Sequence, residues 1–295
     1  MTKRLLVSMA HPDDESFGFG GIIARYVDEG VEVYLICATD GGAGVIPPEM
    51  LAGRNSVAEV RLAELDCAAE YLRLRQVFKL GYKDSDMMGQ PANQDPDCLW
   101  YAWQNKPEEV VQRIVEVIRA VKPQVIVTFD KFGGYGHPDH IAVHRATMEA
   151  FSKAGDANCV TEGSSPFVPQ KLYLSRFPTL MLRINIWLMR LKRQNPRQLG
   201  RKQDIDLVAM LDNTEPRHAR VNIRKYLAAW DGASACHVSQ GGGQRERLFS
   251  RLLSRLLFTK QDFTRVYPRP ARSRVDENDL FAGVILEGNT ADSAS

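Results

Sequence analysis

The sequence predicts an α/β fold, a mainly parallel sheet with helices on both faces. Two observations predict it. Short apolar runs alternate with amphipathic helical patterns along the first half of the chain, the signature of right-handed strand–helix–strand units. Two of those runs also end in dense His/Asp clusters, and the ends of parallel strands are where such folds build their sites.

The elements follow in order. Residues 4–9 read as a buried strand, 17–29 as a helix, 31–38 as a second strand and 54–74 as a longer helix. A third strand at 77–80 leads to a helix at 107–121, and a fourth strand at 125–129 to a helix that runs from Pro138 to about residue 152. Proline suits a first helical turn because its missing N–H is not needed there. Beyond this point the pattern changes. A Gly/Ser/Pro-rich loop at 155–169 and a strand at 171–176 precede a basic amphipathic stretch. Segments at 205–210, 221–230 and 245–258 are expected to complete the sheet edge and a cap. Residues 1–288 read as one domain, with 155–260 supplying cap or lid elements and 289–295 a disordered tail.

Composition bounds the function. The chain has 295 residues, 44% hydrophobic and 25% charged, ordinary for a globular protein, and its formal net charge of +2 gives no electrostatic case for nucleic acid. Its five cysteines lack CxxC spacing and are odd in number, which fits reduced thiols in a cytoplasm, with Cys37 and Cys67 as packing residues. No signal segment precedes the first strand, and no run approaches the roughly 20 apolar residues needed to span a bilayer. The expected location is cytoplasmic.

The chemistry concentrates in two clusters. Ala10-His11-Pro12-Asp13-Asp14-Glu15 follows the first strand, and Gly133-Gly134-Tyr135-Gly136-His137-Pro138-Asp139-His140 follows the fourth. A catalytic zinc commonly takes three His or Asp/Glu ligands and keeps a fourth position for water. His11 and Asp14 can supply two from one turn, and His140 the third. Asp13 is then free to accept a proton from the attacking water, and His137 to stabilise an oxyanion or protonate a leaving amine. His137, His140 and His144 share one helical face, so spacing alone leaves open which histidine binds the metal. An N-capping aspartate would explain one such cluster equally well. Two clusters at two strand ends favour a site.

With these motifs on the page, the chain resembles the PIG-L/LmbE family of zinc-dependent N-deacetylases, whose pattern is an early AHPDDE turn and an HPDH turn about halfway along. The resemblance implies a Rossmann-like, LmbE-like fold and N-deacetylation of an N-acetylglucosamine-type conjugate. It makes His11, Asp14 and His140 the metal ligands, Asp13 the general base, His137 the acid or oxyanion donor, and Asp139 the residue that orients His137. The string from Gly133 to His137 is similar to the mycothiol-pathway branch, which implies that Tyr135 reaches the reacting carbonyl. Arg61, Arg54, Asp84 and His237 lie in family-like stretches and are implied to face the substrate. Zinc is the implied cofactor, and two histidines with one aspartate would also accept Fe²⁺ or Co²⁺. Two alternatives are an amidase cleaving a larger acyl group from a thiol conjugate, and a non-catalytic domain that keeps the metal turn for structure.

Other segments carry less specific readings. Asp40-Gly41-Gly42-Ala43-Gly44 lacks the order of a phosphate loop and reads as a flexible loop at the second strand's end. Arg61 can pair with Glu64 on a helix surface, and His218, between arginines, reads as solvated. Residues 176–203 hold eight Lys/Arg and no Asp or Glu. They read either as a cap helix packed on the sheet or on another subunit of a homo-oligomer, or as a lid or anchor that meets a membrane or lipid-linked substrate.

Overall fold

The computed structural model describes residues 2–51, 53–159, 161, 163–200, 203–243 and 259–286. At its centre β1 (Arg4–Met9) and β4 (Val125–Thr128) lie side by side in parallel, Leu5, Leu6 and Val7 pairing with Val125, Ile126 and Val127. β2 (Glu32–Thr39) and β3 (Gln76–Tyr82) extend the sheet on one side, and β5 (Lys171–Arg176) on the other, all parallel. Two antiparallel strands, β7 (Lys260–Tyr267) and then β6 (Ala219–Asn222), complete a seven-stranded sheet of order β3-β2-β1-β4-β5-β7-β6. The chain steps outward from β1 to β3 and then returns to β4 on the other side of β1. That reversal opens a crevice at the carboxyl ends of β1 and β4, where both His/Asp clusters begin.

The helices cover the sheet for the reason their patterns predict. α5 (Pro107–Val121) buries Val110, Val111, Ile114, Val115, Ile118 and Val121 as one stripe, opens on its proline and ends at Lys122 in a left-handed conformation. α3 (Val57–Tyr71) starts where the Ser56 side chain accepts from the Glu59 amide. α7 (Pro138–Lys153) sits beside α5. Residues 17–29 do not form one helix: α1 (Asp14–Phe17) and α2 (Gly20–Asp28) break at Gly18–Phe19. α4 (Leu99–Asn105) was not expected from the sequence. Residues 221–230 likewise divide into β6 and α10 (Leu227–Cys236), because the Asn222 side chain turns the chain by accepting from the Arg224 amide.

Three other expectations need correction. Cys67 and Cys236 form a disulfide across 169 residues, because α10 packs on α3, so the five cysteines are not all free thiols and their number no longer argues for a cytoplasm. His218 is buried, its Nδ1 accepting from the Arg265 amide. The basic stretch forms α8 (Thr179–Leu191), which packs on α9 (Leu207–Asp212) and not on the sheet. Leu182, Ile186, Leu207 and Met210 make a small apolar cluster apart from the main core. Residues 245–258 and 289–295 lie outside the described residues. Among the described residues, no helix is long and apolar enough to cross a membrane.

Candidate active site

His11, Asp13 and Asp14 stand on the turn after β1. His137 and His140 come from the start of α7, just past β4. α6 (Gly133–Gly136) links β4 to α7 and has no room for side chains at its first position. Gly133 adopts φ +67°, and a Cβ there would lie 2.8–3.0 Å from atoms of Ile141 and His140. The glycine run therefore lets the chain turn tightly enough to deliver His140.

The two histidines meet nitrogen to nitrogen. His11 Nδ1 lies 3.0 Å from His140 Nε2, and Asp14 Oδ2 and Oδ1 lie 3.6 and 3.4 Å from those atoms respectively. The far nitrogens fix the tautomers. His140 Nδ1 faces the Gly133 carbonyl at 3.2 Å, and His11 Nε2 faces the Asp139 carboxylate at 3.2 Å; both partners can only accept, so each far nitrogen carries the proton. The near nitrogens then face each other beside a carboxylate. Positive charge belongs between them: a proton on His11 Nδ1, which the raised His11 pKa supplies, or a divalent cation that takes its place. The observed separations are close to the roughly 3.3 Å between ligand atoms of a tetrahedral zinc, so His11, Asp14 and His140 fit a divalent cation. Outer partners of this kind, a carboxylate on one ligand histidine and a carbonyl on the other, are usual around bound metals.

The electrostatics agree with a site built for positive charge. Burial disfavours ionised Asp14, yet His140 and His11 hold its carboxyl well below the usual range. Burial also opposes protonation of His11, but Asp84, Asp139 and Asp14 raise it well above its ordinary value. His140 is pushed down to about 4, chiefly by burial. Phe129 stacks on its ring at 3.9 Å and a 10° angle, which fixes its plane.

Asp13 is placed by three contacts. Its backbone adopts φ 131°, a conformation that non-glycine residues rarely hold, so its neighbours must enforce it. Arg61 Nη2 donates to Asp13 Oδ2 at 2.9 Å and to the Pro12 carbonyl at 2.8 Å, while Nη1 donates to Gly41 O at 2.8 Å. Glu15 Oε2 accepts from the Asp13 amide at 3.0 Å, and Glu15 Oε1 is 2.7 Å from His237 Nε2. Burial pushes the Asp13 carboxyl up to about 7, against the downward pull of Arg61. Arg61 is therefore no surface residue paired with Glu64. Glu64 instead accepts from the Ser239 amide and hydroxyl, at 2.7 and 2.6 Å.

His137 differs from His140 in the face it offers. Its Nδ1 accepts from the Asp139 amide at 3.2 Å, so the neutral ring carries its proton on Nε2. Burial pushes this histidine down to about 3, which keeps it a neutral donor. Asp139 meets His137 through its backbone amide, while its carboxylate stays 4.0 Å from His137 Nδ1. It bonds His11 Nε2 together with the Ser85 amide and hydroxyl, at 2.9 and 2.5 Å. Ser85 was missed in the sequence; its only signal was adjacency to Asp84.

These groups open on a cavity of about 620 Å³ lined by His11, Asp13, Arg61, Asp84, Tyr135 and His137, with Asp86, Asp204, Ser239 and Gln240 farther round its wall. Asp84 sits 3.5 Å from His11 Nε2 and 3.6 Å from Arg61 Nη1. The Gly41–Gly44 turn and Val45 border the cavity as a loop at the end of β2. Two expected cleft residues are elsewhere. Arg54 is exposed and lines a separate depression beside Cys67 and Cys236. His237 is fully buried against Glu15 and is not among the residues lining the cavity. His144 bonds the Phe129 carbonyl at 2.8 Å, outside the His11–His140 pair.

Comparison with known proteins adds a second line of evidence. The family model PIG-L, GlcNAc-PI de-N-acetylase, matches residues 6–151. The 1D-myo-inositol 2-acetamido-2-deoxy-alpha-D-glucopyranoside deacetylase of Geodermatophilus obscurus is 36% identical over 297 residues, covering 96% of this chain and 98% of that protein. The protein of the same name from Thermobifida fusca is 42% identical over 189 residues, 61% of this chain and 64% of its own length. Among solved structures, N,N'-diacetylchitobiose deacetylase from Pyrococcus horikoshii superposes with a TM-score of 0.59 at 19% identity, covering 89% of this chain and 83% of that one. The 4-carboxy-2-hydroxymuconate hydratase GalB from Pseudomonas putida superposes at 0.56 with 18% identity, over 92% and 99%. One fold thus carries two reactions, and function must be argued from the site.

Proposed function

The chain belongs to the PIG-L family of GlcNAc-PI de-N-acetylases, and from that premise we propose that it hydrolyses the acetamide of a 2-acetamido-2-deoxyglucose joined to a polyol such as inositol. The observation that carries the reading is the convergence of His11 Nδ1, His140 Nε2 and the Asp14 carboxylate within 3.0–3.6 Å, with a second carboxylate, Asp13, on the same turn. The residues that would hold the metal are His11, Asp14 and His140, and zinc is the ion we favour. When bound, a divalent cation lowers the pKa of water and polarises the acyl oxygen.

The chain's own groups do the rest. Asp13 accepts the proton of the attacking water, and Arg61 and Glu15 hold its carboxylate and backbone in position. The neutral His137 donates Nε2–H to the oxygen that gains charge at the acyl carbon, and Tyr135 supplies a second donor. Asp13 then returns its proton to the leaving nitrogen. The Asp139 carboxylate acts as a positioning group through His11, and its backbone amide holds the His137 tautomer.

The cleft chemistry favours a neutral polyol. Among the described residues its lining offers four carboxylates, Asp13, Asp84, Asp86 and Asp204, against one guanidinium, Arg61. Carboxylates accept from sugar hydroxyls and repel a phosphate. A cavity of about 620 Å³ has the volume of ordinary small-molecule sites.

The test is release of free amine from N-acetylglucosaminyl-inositol beside a bulky thiol-conjugate amide. Amine is expected from the acetyl conjugate, lost on chelation and regained with added zinc. Preference for the bulky amide would assign the chain to the amidases, and no release from either by the metal-loaded protein would refute hydrolysis. Asp139→Ala is expected to weaken zinc affinity about 10–100-fold, the usual cost of removing an outer partner of a ligand histidine, measured by competition with a chelator.

A further inference from the structure

α8 has two apolar faces, and the described residues cover one of them. Leu182 and Ile186 are buried against α9, but Leu180, Ile184, Trp187, Leu188 and Leu191 are exposed, Leu180 at 66%, Trp187 at 61% and Leu191 at 68%. Their spacing puts all five on one arc about 100° wide, opposite the buried face. Arg183 and Arg190 flank that arc, with Lys192 and Arg193 just past the helix end, all exposed. No ion pair among the described residues engages these four cations. Residues 176–203 carry eight basic and no acidic residues, whereas the remainder of the chain has 30 basic and 36 acidic, given totals of 38 and 36.

We propose that α8 docks in the plane of an anionic lipid bilayer, its Leu/Ile/Trp arc entering the headgroup layer and its arginines meeting lipid phosphates. The charge of the helix selects this occupant. A second copy would set one basic helix against another, whereas an anionic surface complements Arg183, Arg190, Lys192 and Arg193, which no ion pair among the described residues offsets. An exposed apolar arc with Trp and then Arg along one edge is the composition of helices that lie in the interface and do not cross it. This reading goes beyond the proposed hydrolysis and does not depend on it. The segment that joins α8 to α9 borders the cleft, because Gly200, Asp204 and Ile205 line the cavity, and Phe132 and Tyr135 pack on the α8–α9 cluster.

Co-sedimentation of the full chain with vesicles tests the proposal. At low salt the protein is expected to bind vesicles of phosphatidylglycerol and phosphatidylcholine in equal parts, and not phosphatidylcholine alone. Arg183→Gln with Arg190→Gln should lower the partition coefficient about 25-fold, roughly fivefold per basic residue. About 0.5 M salt should reduce it further, since it shortens the range of the charges. Leu191→Ser with Trp187→Ser should remove binding while amine release from a soluble substrate stays unchanged, because these side chains point away from the cleft elements. Failure to bind anionic vesicles at low salt overturns the proposal. Equal binding to both vesicle types overturns the charge argument, and a dimer in light scattering that Leu191→Ser dissociates gives the face to a second copy.

Discussion

Asp13→Asn is expected to lower turnover by about 10²–10⁴ with the metal retained, the usual cost of losing a general base. Asparagine keeps the shape of the side chain, tolerates positive φ better than most residues and can still accept from Arg61, so the strained turn survives. It cannot take the proton from water. Amine release and metal content, measured on one preparation, separate that loss from loss of the site. The pH profile gives the same group a second signature. Burial pushes Asp13 up to about 7 and Arg61 pulls it back, while a base must be ionised to act. The rate therefore falls as pH drops through the Asp13 pKa. Arg61→Gln removes the opposing positive charge, so the acid limb moves to higher pH.

The second large effect belongs to the neighbouring aspartate. Asp14→Ala is expected to abolish stoichiometric zinc and with it nearly all amine release. Two neutral imidazoles facing each other at 3.0 Å hold a cation poorly without the carboxylate that lies 3.4–3.6 Å from both. Adjacent aspartates then fail in opposite ways: one variant retains metal and loses chemistry, the other loses both. Equal metal content in the two would contradict the division of roles.

Much of this arrangement was legible in the sequence because strand ends are. The apolar runs at β1 and β4 located the switch point, and the two His/Asp clusters fell on it. What the sequence could not carry were contacts made across the fold. Arg61 reaches Asp13 from α3, 48 residues along the chain. Helical spacing to Glu64 suggested only a surface pair. His237 reaches Glu15 over 222 residues, and Asp139 reaches His11 over 128, so neither partner could be read from local pattern. The disulfide between Cys67 and Cys236 was hidden for the same reason. Splitting of the expected helix at 17–29 has a local cause, since Gly18 and the turn at Asp13 give α1 its own short course. The antiparallel strands β6 and β7 were obscured because each is short or half exposed and pairs with distant chain.

The central claim is that His11, Asp14 and His140 form the metal site while His137 remains a hydrogen-bond donor. Nitrogen atoms of His11, His137 and His140 all gather within 4.8 Å, so proximity alone does not separate the two later histidines; tautomer does. Zinc titration of the apoprotein, run on His137→Ala and His140→Ala beside the unaltered chain, tests it most directly. The account predicts about one tightly bound zinc for His137→Ala, with turnover lost, and no tight zinc for His140→Ala; tight zinc in His140→Ala with none in His137→Ala would contradict it.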